Sequence, residues 1–188
     1  MTLRLPPPLD RPLTVVHEDG LVRLLDGEAV VAEARPGEPD LEPPAPPSLA
    51  EAEQAAAAHV HLSGENFAEC FSCGIRPDDG LCIHVGPVAG TDLHAAPWTA
   101  TEVSPEVVWA AIDCSGAWAV GAPGRGEIVL GRMTGEVLRL PAEGEECIVV
   151  AWPLGEDGRK LYAGTALYAA AGELLALARQ TWIQPKAG

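Results

Sequence analysis

Apolar and polar positions divide the chain into segments of different period. Leu13–Val16, Leu21–Leu25 and Val30–Ala34 are short β-prone runs separated by Asp19-Gly20 and Asp26-Gly27, pairs that favour tight turns. They predict a small hairpin or meander. Residues 37–47 are proline-rich and predict an extended connector. Ser48 to Ala58 predicts a short helix: Ser48 can cap, Glu51 stands at the capping-box position, and an alanine run follows. The polar residues 63–66 are expected to end that helix. Cys70 to Gly80 reads as a loop with a turn at Pro77-Asp78-Asp79-Gly80, and Leu81–Val88 and Asp92–Trp98 read as two strands joined near Gly90.

From Ser104 the pattern changes. Ser104 suits an N-cap, Pro105 the first helical position, and Glu106 the positive end of the helix dipole. The residues that follow, to Val120, are apolar on nearly every face, so a helix over about 104–120 belongs inside the fold. Four strand-like stretches come next: Glu127–Leu140, Cys147–Leu154, Lys160–Tyr168 and Leu174–Ile183, joined by short turns. Together they predict an antiparallel meander needing cover on one face, which the buried helix supplies. The expected class is α+β, of the hotdog type: a long antiparallel sheet wrapped around a central buried helix. An N-terminal extension is expected over residues 1–65 and the hotdog domain over 66–188.

Composition narrows the function. With 47% hydrophobic and 21% charged residues, the 188-residue chain is globular in character. A net charge of −15 repels nucleic acid and anionic lipid at long range and leaves a small molecule or a protein as partner. No apolar run reaches the length that spans a bilayer, and Met1 to Pro12 lacks the apolar core of a secretory signal. A cytoplasmic location is therefore expected, with the five cysteines reduced rather than paired.

A series of motifs carries a resemblance. Cys70-Phe71-Ser72-Cys73-Gly74, Gly86-Pro87-Val88, Ala96-Pro97-Trp98-Thr99 and Pro105-Glu106-Val107-Val108-Trp109-Ala110-Ala111-Ile112-Asp113-Cys114 resemble a group of bacterial hotdog proteins. The likeness continues through Gly131-Arg132-Met133, Trp152-Pro153-Leu154 and Asp157-Gly158-Arg159-Lys160 to Ala163–Tyr168, covering roughly residues 66–183. It implies a homodimer that hydrolyses or binds an acyl thioester such as acyl-CoA, with no cofactor. Many thioesterases of this superfamily carry a catalytic Asp or Glu in the central helix, and the matching position here is Asp113. The His-Gly-Gly-like opening of that helix is replaced by Ser104-Pro105-Glu106, a departure that favours the alternative of a non-catalytic acyl-CoA-binding or regulatory module. A scaffold whose N-terminal extension docks a partner is the third reading.

The residues themselves supply candidates. Asp113 is a lone carboxylate in an apolar helix, where burial raises its pKa and suits a general base; a structural aspartate accepting hydrogen bonds is the alternative. The first-turn N–H groups around Glu106 to Val108 are candidates to stabilise an oxyanion, and Ser104, Glu106 and Val107 are candidate substrate-binding residues. Trp109, four residues before Asp113, and Trp98 are candidate walls of an acyl pocket. Cys70-x-x-Cys73 with Cys82 and His84, and with His59 and His61 nearby, has a loose zinc-knuckle look. Two thiols in a packed loop, free of metal, is the expected reading. Arg125, Arg132, Arg139, Arg159 and Lys160 are candidates to meet coenzyme A phosphates or are solvated charges, and nothing positions His94 beside Asp113. Phosphate-loop, dinucleotide and Gly-x-Ser-x-Gly fingerprints are absent.

Overall fold

The computed structural model describes residues 1–62 and 65–186. Its strands are β1 (Thr2–Leu3), β2 (Thr14–Glu18), β3 (Leu21–Asp26), β4 (Ala29–Ala34), β5 (Gly86–Pro87), β6 (His94–Thr99), β7 (Val129–Val137), β8 (Glu146–Asp157), β9 (Lys160–Ala169) and β10 (Leu174–Ile183). Its helices are α1 (Leu49–Ala57), α2 (Glu65–Ala68), α3 (Pro105–Ala111) and α4 (Ser115–Ala119). All ten strands form one antiparallel sheet in the order β2-β3-β4-β1-β7-β10-β9-β8-β6-β5. The fold is α+β, with a long antiparallel sheet and a buried helical segment on one face. The expected meander over residues 13–34 is β2, β3 and β4, and β1 joins it to β7.

The central strands are buried on both faces, which is why Cys147-Ile148-Val149-Val150-Ala151-Trp152 runs apolar without alternation. Cys147, Val149, Leu161, Ala163 and Leu167 face a core shared with Val108, Ile112, Ala117 and Trp118 of the helical segment. Ile148, Val150, Trp152, Ala166 and Tyr168 face a second core with Ala52 and Ala55 of α1. The capping box expected for α1 is present: the Ser48 hydroxyl accepts from the Glu51 N–H, and the Glu51 carboxylate accepts from the Ser48 N–H at 2.8 Å. The proline-rich connector follows the same face, where the Tyr168 hydroxyl donates to the Pro44 carbonyl at 2.6 Å. The segment 63–66, expected to end α1, lies partly outside the described residues.

Three expectations are corrected. Residues 81–85 are not a strand: Cys82 has a φ of 50°, which breaks the extended path, and only Gly86–Pro87 pairs with β6. The four C-terminal strands are not a simple meander, because β7 pairs with β10 and β8 lies beyond β9. The loop between β7 and β8 therefore crosses the ends of two strands. Arg139 in that loop binds Glu145 at 2.9 Å and Glu173 at 2.8 Å. Finally, the helix expected over 104–120 is two helices with a turn at 112–114 between them.

Candidate functional site

That turn is where the site forms. α3 ends with Ile112 as its cap, and α4 starts after Cys114, so the carbonyls of Ile112 and Asp113 lose helical partners inside an apolar core. Gln180 of β10 replaces them. Its fully buried amide donates to Ile112 O at 2.8 Å and to Asp113 O at 2.7 Å. The Trp182 indole N–H donates to Gln180 Oε1 at 2.8 Å and fixes the amide's orientation. A Cβ on Gly116 would stand 1.9 Å from that same oxygen, so only glycine lets α4 sit this close to the strand.

At the break Asp113 and Cys114 are only partly buried, while Ile112 and Ser115 on either side are buried. Asp113 is half-buried and borders two adjoining cavities of about 480 and 410 Å³. The first is lined by Pro105, Glu106, Trp109, Ala110, Leu130 and Met133, and the second runs from Asp113 along Phe67, Ile128, Val129 and Trp182. Burial pushes the Asp113 carboxyl up to about 6, with a further push from negative charge on Cys70. Among the described residues no hydrogen-bond donor or basic side chain meets this carboxylate, so the structural-aspartate alternative finds no partner for it.

Other sequence candidates separate into those that join Asp113 and those that do not. Glu106 and Trp109 line its cavity. Trp98 is buried in the core on β6. Ser104 is spent on capping: its hydroxyl accepts from Val107 N–H at 3.2 Å, and its carbonyl accepts from Val108 N–H at 3.1 Å. The Glu106 carboxylate is held low by a hydrogen bond from Ser104, then by its own backbone N–H. Pro105 lacks a donor, and the Val107 and Val108 N–H groups expected to hold an oxyanion are hydrogen-bonded to Ser104. His94 stands on β6, with β8, β9 and β10 between it and β7, so it does not reach Asp113.

The cysteines regroup. Cys82 and His84 do not join Cys70 and Cys73. His84 instead stacks on His59 with ring centroids 4.9 Å apart and lies 4.9 Å from His61. The third thiol near Cys70 and Cys73 is Cys114, whose Sγ lies 3.4 Å from that of Cys70. Hydrogen bonds from Cys114 and then Cys73 lower the pKa of Cys70, and the same bond to Cys70 raises that of Cys114. All five cysteines are unpaired.

The basic residues do not gather into one patch. Arg125 binds Glu156, Arg139 binds Glu145 and Glu173, and Arg159 donates to the Gln184 carbonyl. Arg132 donates to the Thr2 hydroxyl and lines both the second Asp113 cavity and a neighbouring polar cavity shared with Arg4 and Arg35. Gln180, Gly116 and the Cys114 thiol are the parts of the site that reading the sequence missed. Among the described residues no helix is long and apolar enough to cross a membrane.

No family model matches the chain, and neither does any curated protein. Solved structures to which it is similar include a thioesterase superfamily protein, at 13% identity over 57% of this chain and 60% of that one, with a TM-score of 0.49. Another is thioesterase superfamily member 2 from Mus musculus, at 16% identity over 54% of this chain and 88% of that one, TM-score 0.47. A third is a hypothetical thioesterase protein from Streptococcus pneumoniae crystallised with coenzyme A, at 8% identity over 48% of this chain and 79% of that one, TM-score 0.44.

Proposed function

We propose that this chain is a cytoplasmic, homodimeric protein that binds a small acyl thioester and hydrolyses it with Asp113 as general base. The observation that carries the reading is the position of Asp113: a half-buried carboxylate with no stabilising partner among the described residues, on the wall common to two largely apolar cavities. A structural aspartate would be expected to hold hydrogen bonds in such surroundings. An acyl chain fits against Trp109, Leu130 and Met133, and a water held by Asp113 would attack the thioester carbonyl. Arg132 and Arg35, which line the neighbouring polar cavity, would meet the phosphates of a coenzyme A carrier.

One observation favours a second reading, a binding or regulatory module without turnover. The N–H groups of Val107 and Val108 are already bonded to Ser104, so this chain offers no free first-turn donor to an oxyanion at α3. A screen over short, medium and aromatic acyl-CoAs, scored for both binding and thiol release, separates the two. Turnover with at least one acyl group is expected. Tight binding without thiol release would move the assignment to the module, and neither binding nor release would end the acyl-thioester reading.

A further inference from the structure

Three thiols from distant parts of the sequence meet beside Asp113. Cys70 and Cys73 belong to a tightly folded loop in which Gly74 N–H donates to the Cys70 carbonyl at 2.9 Å and Ile75 N–H to the Ala68 carbonyl at 3.0 Å. Gly74 is packed so closely on those carbonyls that a Cβ there would lie 2.4 Å from Cys70 O. Between the two cysteines, the Ser72 hydroxyl donates to the Ala110 carbonyl at 2.6 Å, which pins the loop to the end of α3. The loop is held from its other side by Leu81 N–H on Phe71 O at 2.7 Å and Ile83 N–H on Ser72 O at 2.9 Å. Cys114 comes from the turn that Gln180 secures through the Asp113 carbonyl. Polar restraints on both partners therefore place the thiols before any ligand arrives.

The result is a group in which the three sulfurs lie within 4.8 Å of one another, with those of Cys70 and Cys114 3.4 Å apart. A tetrahedral ion with Zn–S bonds of about 2.3 Å sets its thiolates about 3.8 Å apart, inside that spread. Cys82 and Cys147 stand outside the group. The second Asp113 cavity reaches both Cys70 and Cys114, which gives an entry path and leaves room for a fourth ligand from solvent.

We infer that Cys70, Cys73 and Cys114 form a site for a zinc-class divalent ion, held by three thiolates with its fourth position open toward the Asp113 cavity. Soft sulfur donors select such an ion over magnesium or calcium, and three protein ligands with one open position is the arrangement that keeps an exchangeable water. Each thiol that still carries its proton gives it to solvent as the ion binds. The site differs from the quartet suggested by chain spacing alone, because Cys114 replaces Cys82 and His84. It departs from the metal-free expectation for these cysteines and does not depend on the hydrolysis reading.

The test uses the whole chain, expressed with zinc and purified under reductant without chelator. Elemental analysis is expected to give one zinc per chain, and X-ray absorption is expected to show three sulfurs at about 2.3 Å. Cobalt loaded in place of zinc should give sulfur-to-metal charge-transfer absorption. In competition with a chromophoric chelator, Cys114→Ser should weaken zinc binding by on the order of 100-fold or more, while Cys82→Ser leaves it unchanged. The absorption measurements on the unaltered protein stand even where Cys114→Ser misfolds. Zinc bound no tighter by the unaltered protein than by Cys114→Ser, or a shell dominated by histidine nitrogen, would overturn the assignment. So would a Cys70–Cys114 disulfide found by mass spectrometry in reductant-maintained protein.

Discussion

The side-chain amide of Gln180 donates a hydrogen bond to the backbone carbonyl of Asp113 at 2.7 Å. The candidate base is thus held by a residue 67 positions further along the chain, on β10, as well as by its own N–H on the Ala110 carbonyl of α3. Gln180→Leu preserves bulk but leaves the Ile112 and Asp113 carbonyls without this partner in a buried setting. At roughly 1–3 kcal/mol for each orphaned group, the melting temperature should fall by about 5–15 °C. Calorimetry on the variant checks this, and an unchanged Tm would show that the turn holds itself.

Gly116 provides an independent check on the same contact. Gly116→Ala drives a Cβ into Gln180 Oε1, so it should destabilise strongly alone and much less when combined with Gln180→Ala. A double-mutant cycle measured by denaturant unfolding reads the difference. Additive effects would separate the two residues.

Much of the scaffold was legible. Ser48 and Glu51 announced α1 through cap chemistry, which is local, and the same holds for Ser104 and Pro105 at α3. β8, β9 and β10 were visible because apolar runs bounded by glycine turns need no long-range information. The order of β7 was not, since nothing in Val129–Val137 says that it pairs with β10 rather than β8. The break at 112–114 was hidden for a related reason: Ile112, Asp113 and Cys114 can all be helical, and what ends α3 there is a partner on β10. One signal was present. Strand alternation puts Gln180 on the face of Ala178 and Trp182, a lone amide among inward apolar residues, and a buried amide must have partners. Cys114 gave no such signal, because 44 residues separate it from Cys70.

The crossing loop after β7 should make stability depend on acid. The Arg139 guanidinium, then the Ala142 N–H, hold the Glu145 carboxyl down to about 2, against an ordinary 4.5. A depressed folded-state pKa contributes stability that is fully present above the ordinary value and is lost as pH falls toward about 2. Arg139→Met should therefore cost only a little stability at neutral pH, as befits a pair that stays open to solvent. That difference should shrink between about pH 4.5 and 2. A gap between the two proteins that is independent of pH would place the effect in packing instead.

The helical segment also carries an expectation about assembly. Val107, Trp109 and Ala110 of α3 are only partly buried, leaving apolar surface next to the Asp113 cavity. A two-fold dimer that covers α3 is expected, and light scattering at micromolar concentration should give twice the chain mass of 19.6 kDa. A stable monomer would remove the dimer from the proposal.

Single-turnover hydrolysis by Asp113→Asn, measured beside its thermal melt, tests the catalytic reading most directly. The amide keeps the shape of the carboxylate, and among the described residues the side chain has no hydrogen-bond partner to lose, so the melting temperature should be retained. Acyl-CoA affinity should change little, because a general base acts on the transition state more than on bound substrate. Thiol release should fall by roughly 10²–10⁴, the usual contribution of such a group. A fully folded Asp113→Asn protein that releases thiol at the unaltered rate would contradict the assignment.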